Sequence, residues 1–174
     1  MTDSLLIDRR IMTEAAALLD AARERGDLLA AAESCTGGLL AAIVTAIPGS
    51  SEVFDRGFVT YSNVAKQQIG VSMATLDRYG EVSRETAEAM AKGVLANAPV
   101  SLSAAITGIA GPGGGSPDKP IGLVHFAVAA ARSGKIVHRE QRYGDIGRAQ
   151  VRQASVLHAL TMLQELADGE DTPN

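Results

Sequence analysis

Three stretches of this sequence concentrate groups that could do chemistry. The first, Glu33-Ser34-Cys35-Thr36-Gly37-Gly38, sets two hydroxyls and a thiol before a pair of glycines, directly ahead of an apolar run from Leu39 to Ile47. A turn that opens a helix offers free amides and the positive end of the helix dipole, so it attracts an oxyanion or a phosphate. The same residues admit a plainer reading, in which Ser34 or Thr36 caps the helix and Cys35 is a small buried filler. The second stretch brackets a strand-to-helix junction with Tyr61 and Lys66, an arrangement that is usually a solvated surface pair. The third, Gly108 to Pro120, packs Gly108, Gly111, Gly113, Gly114 and Gly115 together with three prolines. Backbone amides with no side chains in the way suit close approach to a phosphate. This loop is neither a Walker pattern, which needs a lysine and a hydroxyl after its last glycine, nor a dinucleotide fingerprint, which must open a helix. Its other reading is a mobile surface loop.

His125, His138 and His158 show no metal-ligand spacing and fall in two strands and a helix, so neither a metal site nor a cofactor is expected. With no histidine close to a candidate nucleophile, a serine activated by lysine is the more economical arrangement. Cys35 is the rival nucleophile, because a helix N-terminus also activates a thiolate.

These groups need elements to hold them. Ile11, Ala15, Leu18 and Ala22 follow a helical spacing, with Asp3 and Ser4 as candidate caps and Gly26 as the stop. Leu28 to Ala32 reads as a strand and Leu39 to Ile47 as a helix ended by Pro48. Phe54 to Tyr61 is a second strand, and Ser62 or Asn63 caps the helix that carries Lys66. Ser72 and Ser83 open two more helices, the latter running to about Asn97. Val100 to Ile106 is strand-like, Gly122 to Ala131 and Lys135 to Tyr143 form a hairpin, and Asp145 is a candidate cap for a last helix before a frayed acidic tail from Asp168. Alternation of this kind predicts a single-domain layered α/β sandwich with a mixed sheet.

Composition narrows the partners. The 174-residue chain is 46% hydrophobic and 21% charged, which suits one globular domain. Aromatics make up 3% with no tryptophan, and the net charge is −4, so neither base-stacking platforms nor a basic nucleic-acid face is expected. The single cysteine, the lack of a secretory pattern and the absence of a long apolar run point to the cytoplasm and away from membranes.

Taken together, AESCTGG at Ala32 to Gly38, GFVTYSNVAK at Gly57 to Lys66, TGIAGPGGGSPDKPIG at Thr107 to Gly122 and the closing VRQAS segment resemble the CinA C-terminal domain family. The resemblance runs from about Leu6 to Leu166. It implies a three-layer α/β/α sandwich whose mixed, mostly parallel sheet has about five strands. It also implies a homodimer or larger homo-oligomer, an assembly that the alanine-rich run Leu39 to Ile47 would favour if it had apolar surface to spare. The implied activity is hydrolysis of nicotinamide mononucleotide to the acid mononucleotide and ammonia, in pyridine nucleotide salvage. Ser34 would be the nucleophile, Lys66 its base and Tyr61 the group between them, with Thr107 and Arg148 contributing to the site. Substrate contacts are expected from Cys35, Thr36, Gly37, Gly38 and the loop glycines. The family often opens its last helix with Gly-Asp-Arg, whereas here Ile146 and Gly147 separate Gly144-Asp145 from Arg148. A pocket retained without chemistry, as in a regulatory module, is the alternative.

Overall fold

The computed structural model describes residues 7–170, and its core is a five-stranded sheet. In chain order the elements are α1 (Arg9–Arg25), β1 (Leu29–Glu33), α2 (Leu39–Thr45), β2 (Phe54–Val59), α3 (Asn63–Gln68), α4 (Met73–Tyr79), α5 (Arg84–Asn97), β3 (Leu102–Gly108), β4 (Leu123–Ala130), β5 (Ile136–Arg142) and α6 (Arg148–Glu170). The strands lie in the order β2-β1-β3-β4-β5. β1 is parallel to both neighbours, and β4 is antiparallel to β3 and β5. Four strands thus share one direction and β4 alone opposes them, which is the mixed, mostly parallel sheet expected.

Helices cover both faces. Leu29, Ala31, Leu102, Ala104 and Ile106 point into the layer made by α1, α2 and α6. Ala30, Ala32, Ala105, Ala127 and Ala129 point the other way, against α5 and Leu76 of α4. Strands covered on both sides read as continuous apolar runs rather than alternating ones, and β1, β3 and β4 do so. The second face is built almost wholly of alanine, so α5 seats directly on the backbone. Ser103 closes that contact by donating to the Ala91 carbonyl.

Two expectations are corrected. Asp3 and Ser4 lie outside the described residues, and the cap of α1 is Asp8, whose side chain accepts from Arg10 N. Asp145 does not cap α6: the helix starts at Arg148 after Gly147, which takes φ +95°, so the inserted residues form a bend ahead of it. In the acidic tail expected to fray, α6 continues through Glu170 and Asp168 pairs with Arg25 at 3.2 Å, while 171–174 lie outside the described residues. Leu39, Leu40, Ile43 and Val44 of α2 are buried inside the domain, while Ala42 and Ala46 in the same run are exposed. Among the described residues no helix is long and apolar enough to cross a membrane.

Topology locates a crevice. The chain leaves β1 outward to β2 and then returns across β1 to β3, so connections diverge at the carboxyl ends of β1 and β3. In parallel α/β sheets such a switch point is where ligands bind.

Candidate active site

Ser34 follows β1 immediately, and Lys66 lies in α3, which follows β2. Ser62 caps α3 by accepting from Ala65 N at 3.1 Å, and this start carries Lys66 back over the end of the sheet. Its ammonium nitrogen Nζ is 3.0 Å from Ser34 Oγ and 2.9 Å from the Thr60 carbonyl. Lys66 is 1% exposed, an extreme value for a lysine. Burial pushes its pKa below the ordinary lysine value, and the Glu81 carboxylate works against that drop. A lysine so placed is a candidate base for the hydroxyl it touches. The surface-pair reading of Lys66 is therefore wrong.

The turn that presents Ser34 is held by Glu33. This carboxylate is 1% exposed and accepts from Gly38 N at 3.2 Å, Leu40 N at 3.0 Å and Ala41 N at 2.9 Å. It meets the orphan amides of α2 and places negative charge at the positive end of the helix. Neither Ser34 nor Thr36 caps α2, so the Ser34 hydroxyl stays available to Lys66. The amides of Gly37 and Gly38, expected to face substrate, are already engaged, the first by the Ser34 carbonyl at 3.1 Å. The Thr36 amide donates to no described residue and the Cys35 amide only to its own sulfur, so these two are the donors left beside Ser34. From α6, Arg152 clamps the other side of the turn, with Nε at 3.2 Å and Nη2 at 2.7 Å from the Thr36 carbonyl.

Cys35 is buried, and burial pushes its thiol up to about 12. With Glu33 already occupying the helix end, the activation that made Cys35 a rival nucleophile is missing, and the thiol stays protonated near neutrality.

A pocket of about 240 Å³ opens over this pair. Of the residues expected at the site, it brings together Ser34, Cys35, Tyr61, Lys66, Gly108, Gly111, Gly113, Gly114 and Arg148. Thr36, Gly37, Gly38, Thr107 and Gly115 do not line it. Thr107 is fully buried, and its hydroxyl donates to the Glu81 carbonyl at 2.6 Å. Gly115 is small for packing: a Cβ there would sit 2.9 Å from Ile121 N. Gly108 does both, lining the pocket while a Cβ would come within 2.7 Å of the Leu123 carbonyl. A Cβ on Gly113, in contrast, would meet nothing within 4 Å.

Tyr61 does not stand between Ser34 and Lys66, whose contact is direct. It is 59% exposed, and its hydroxyl accepts from Arg148 Nη2 at 2.7 Å. Arg148 Nη1 reaches the Gly111 carbonyl at 2.8 Å, so the first residue of α6 joins the glycine loop to Tyr61. Glu81, Val82, Ile109 and Ala110 also line the pocket, and none had been singled out from the sequence. Glu33 carried a usable signal, an acid at a strand end just before a helix, while Glu81 carried none.

This chain matches the CinA C-terminal domain family over residues 12–167. It is 45% identical over 159 residues to the nicotinamide-nucleotide amidohydrolase PncC of Escherichia coli (strain K12), covering 91% of this chain and 95% of that one. The amidohydrolase of the same name from Enterobacter agglomerans is 45% identical over 146 residues, covering 83% and 88%. Other relatives are longer: the chain spans 36% of the CinA-like protein of Synechococcus sp. (strain CC9902), with 46% identity over 154 residues. Among solved structures, the competence/damage inducible protein CihA of Agrobacterium tumefaciens superposes with a TM-score of 0.90 at 50% identity, covering 92% of this chain and 98% of that one. The switch-point pocket, the quoted motifs and this coverage lead to one assignment: the chain belongs to the CinA C-terminal domain family.

Proposed function

We propose that this chain hydrolyses the carboxamide of nicotinamide mononucleotide, giving nicotinic acid mononucleotide and ammonia, by a serine-lysine mechanism. The observation that carries the reading is the 3.0 Å contact between Lys66 Nζ and Ser34 Oγ inside a pocket. Names of the amidohydrolase relatives supply the substrate.

In the neutral form, Lys66 keeps its bond to the Thr60 carbonyl and turns its lone pair to the serine hydroxyl. Ser34 Oγ bonds to the carboxamide carbon as its proton passes to Nζ. The amides of Cys35 and Thr36 are the candidate donors for the oxygen that becomes negative, where preorganised donors matter most. Collapse breaks the C–N bond, and the proton on Lys66 goes to the departing nitrogen, which leaves as ammonia. Water, deprotonated by the same amine, then cleaves the serine ester and releases the acid. Two of the five guanidinium donors of Arg148 are used by Gly111 and Tyr61, so others remain for the 5′-phosphate, together with amides of the glycine loop. Binding energy from that remote end orients the reacting end. The reaction suits a cytoplasmic salvage route for pyridine nucleotides.

Incubation with nicotinamide mononucleotide should release ammonia and the acid mononucleotide in equal amounts. Tight binding with no ammonia would instead make the chain a non-catalytic binding module.

A further inference from the structure

We propose that Glu81 selects the charge of the substrate's ring, its carboxylate facing the cationic pyridinium of nicotinamide mononucleotide and disfavouring analogues whose ring is neutral. This rests on the functional reading above and names a determinant of specificity within it.

Glu81 is the one acidic side chain among the described residues lining the pocket. Its carboxylate makes no hydrogen bond or ion pair with a described residue, although Lys66 and Arg148 line the same space. The main chain beneath it is fixed. Thr107 Oγ1 donates to the Glu81 carbonyl at 2.6 Å, the Gly80 carbonyl accepts from Ser83 Oγ at 3.1 Å and Thr86 Oγ1 at 2.7 Å, and Val82 is buried. An exposed charged tip on a pinned base is a suitable construction for recognition, since little ordering entropy is lost when it finds a partner.

The ligand's chemistry supplies that partner. The ring nitrogen of nicotinamide mononucleotide is bonded to ribose and carries a positive charge at every pH. Ser34 fixes where the carboxamide carbon must lie, while Arg148 and the loop at Gly113 and Gly114 engage the phosphate. The ring is left to meet the remaining wall, which includes Glu81 and Val82. The Glu81 field reaches the reacting end, because it opposes the fall in the Lys66 pKa. Thr107, buried behind the pocket, is then a positioning residue that acts through the Glu81 main chain.

The test uses binding, with turnover removed by Ser34→Ala. Calorimetry compares nicotinamide mononucleotide with dihydronicotinamide mononucleotide, which has the same phosphate, ribose and carboxamide on an uncharged ring. Ser34→Ala should prefer the cation. Adding Glu81→Gln should weaken the cation about fivefold, the scale of one exposed charge pair, and leave the dihydro compound unchanged. Glu81→Asp should keep part of the preference. Equal weakening of both ligands, or of neither, would overturn the assignment. Ammonia release by the wild-type chain is scored separately: turnover with an unchanged binding ratio overturns the role of Glu81 alone, whereas no turnover overturns the functional reading whatever the ratio.

Discussion

In the proposed mechanism a proton moves across the 3.0 Å between Ser34 and Lys66, and its direction sets the pH dependence. The proposed mechanism needs the neutral amine, so the rate should rise as pH climbs through the Lys66 pKa. Burial displaces that pKa downward from 10.5, so the rise should fall at lower pH than for an ordinary lysine. A rate profile from acid to alkaline pH checks this, and a rate that falls over the same range would count against a lysine base. Lys66→Arg keeps the charge but cannot release its proton near neutrality, so it should lose at least about a hundredfold in kcat. Retention of the rate would make Lys66 an electrostatic anchor. Ser34→Ala should lose as much, and the double variant should be little worse than either single one, because the pair acts as a unit. The pair was legible in the sequence as types, a small hydroxyl at a strand end and a lysine after the next strand. Its geometry was not. The family resemblance implied Tyr61 as the group between them, yet it precedes the Ser62 cap and its hydroxyl accepts from Arg148.

One level up, α2 and its turn depend on a residue whose role sequence reading did not assign. Both readings of Ser34 to Gly38 assumed that a hydroxyl or a ligand would meet the helix amides, because the residue with the stronger claim, Glu33, belongs to the preceding strand. Glu33→Gln puts an amide donor against at least one backbone donor in a buried site. The expected cost is about 1–3 kcal/mol, read as a melting temperature lowered by several degrees. It should also reduce kcat more than it raises KM, since the serine turn loosens while the phosphate end is untouched. An unchanged melting temperature and kcat would show the cap to be dispensable. The loop glycines divide in a way that composition could not reveal. Gly108→Ala should destabilise the fold by driving a methyl into the Leu123 carbonyl. Gly113→Ala meets open space and should fold normally, yet raise KM severalfold if the phosphate approaches the backbone there. Paired melting curves and kinetics separate the two. The starts of α3, α4 and α5 at Ser62, Ser72 and Ser83 were legible because each hydroxyl accepts from a local amide. The start of α6 was not, because glycine-assisted bending carries the chain past Asp145 before the helix begins.

Over the whole molecule, the site is a seam between parts of the chain that are far apart in sequence. Ser34 hangs from β1, Lys66 from β2, the glycine loop from β3, and Arg148 opens the helix that packs across the sheet against α1. The alternation of elements made the layered sandwich legible, and the apolar runs marked strands covered on both faces. Strand order was beyond local patterning, and it is strand order that puts these ends at one crevice. A ligand spanning the crevice therefore ties together segments that separate on unfolding, so it should stabilise the chain as a whole. At a concentration of about 100 times its dissociation constant, nicotinamide mononucleotide should add about 2.7 kcal/mol to the stability of Ser34→Ala. For a domain of this size that is about 5–10 °C in melting temperature. The riboside lacks the anion that Arg148 and the loop amides would hold, so at the same concentration it should shift the transition far less. Thermal denaturation of Ser34→Ala with each compound makes the comparison without turnover. Equal shifts would mean that the phosphate is not held at Arg148 and the glycine loop, and the bridge across the crevice would have to be sought in contacts to the ring and ribose.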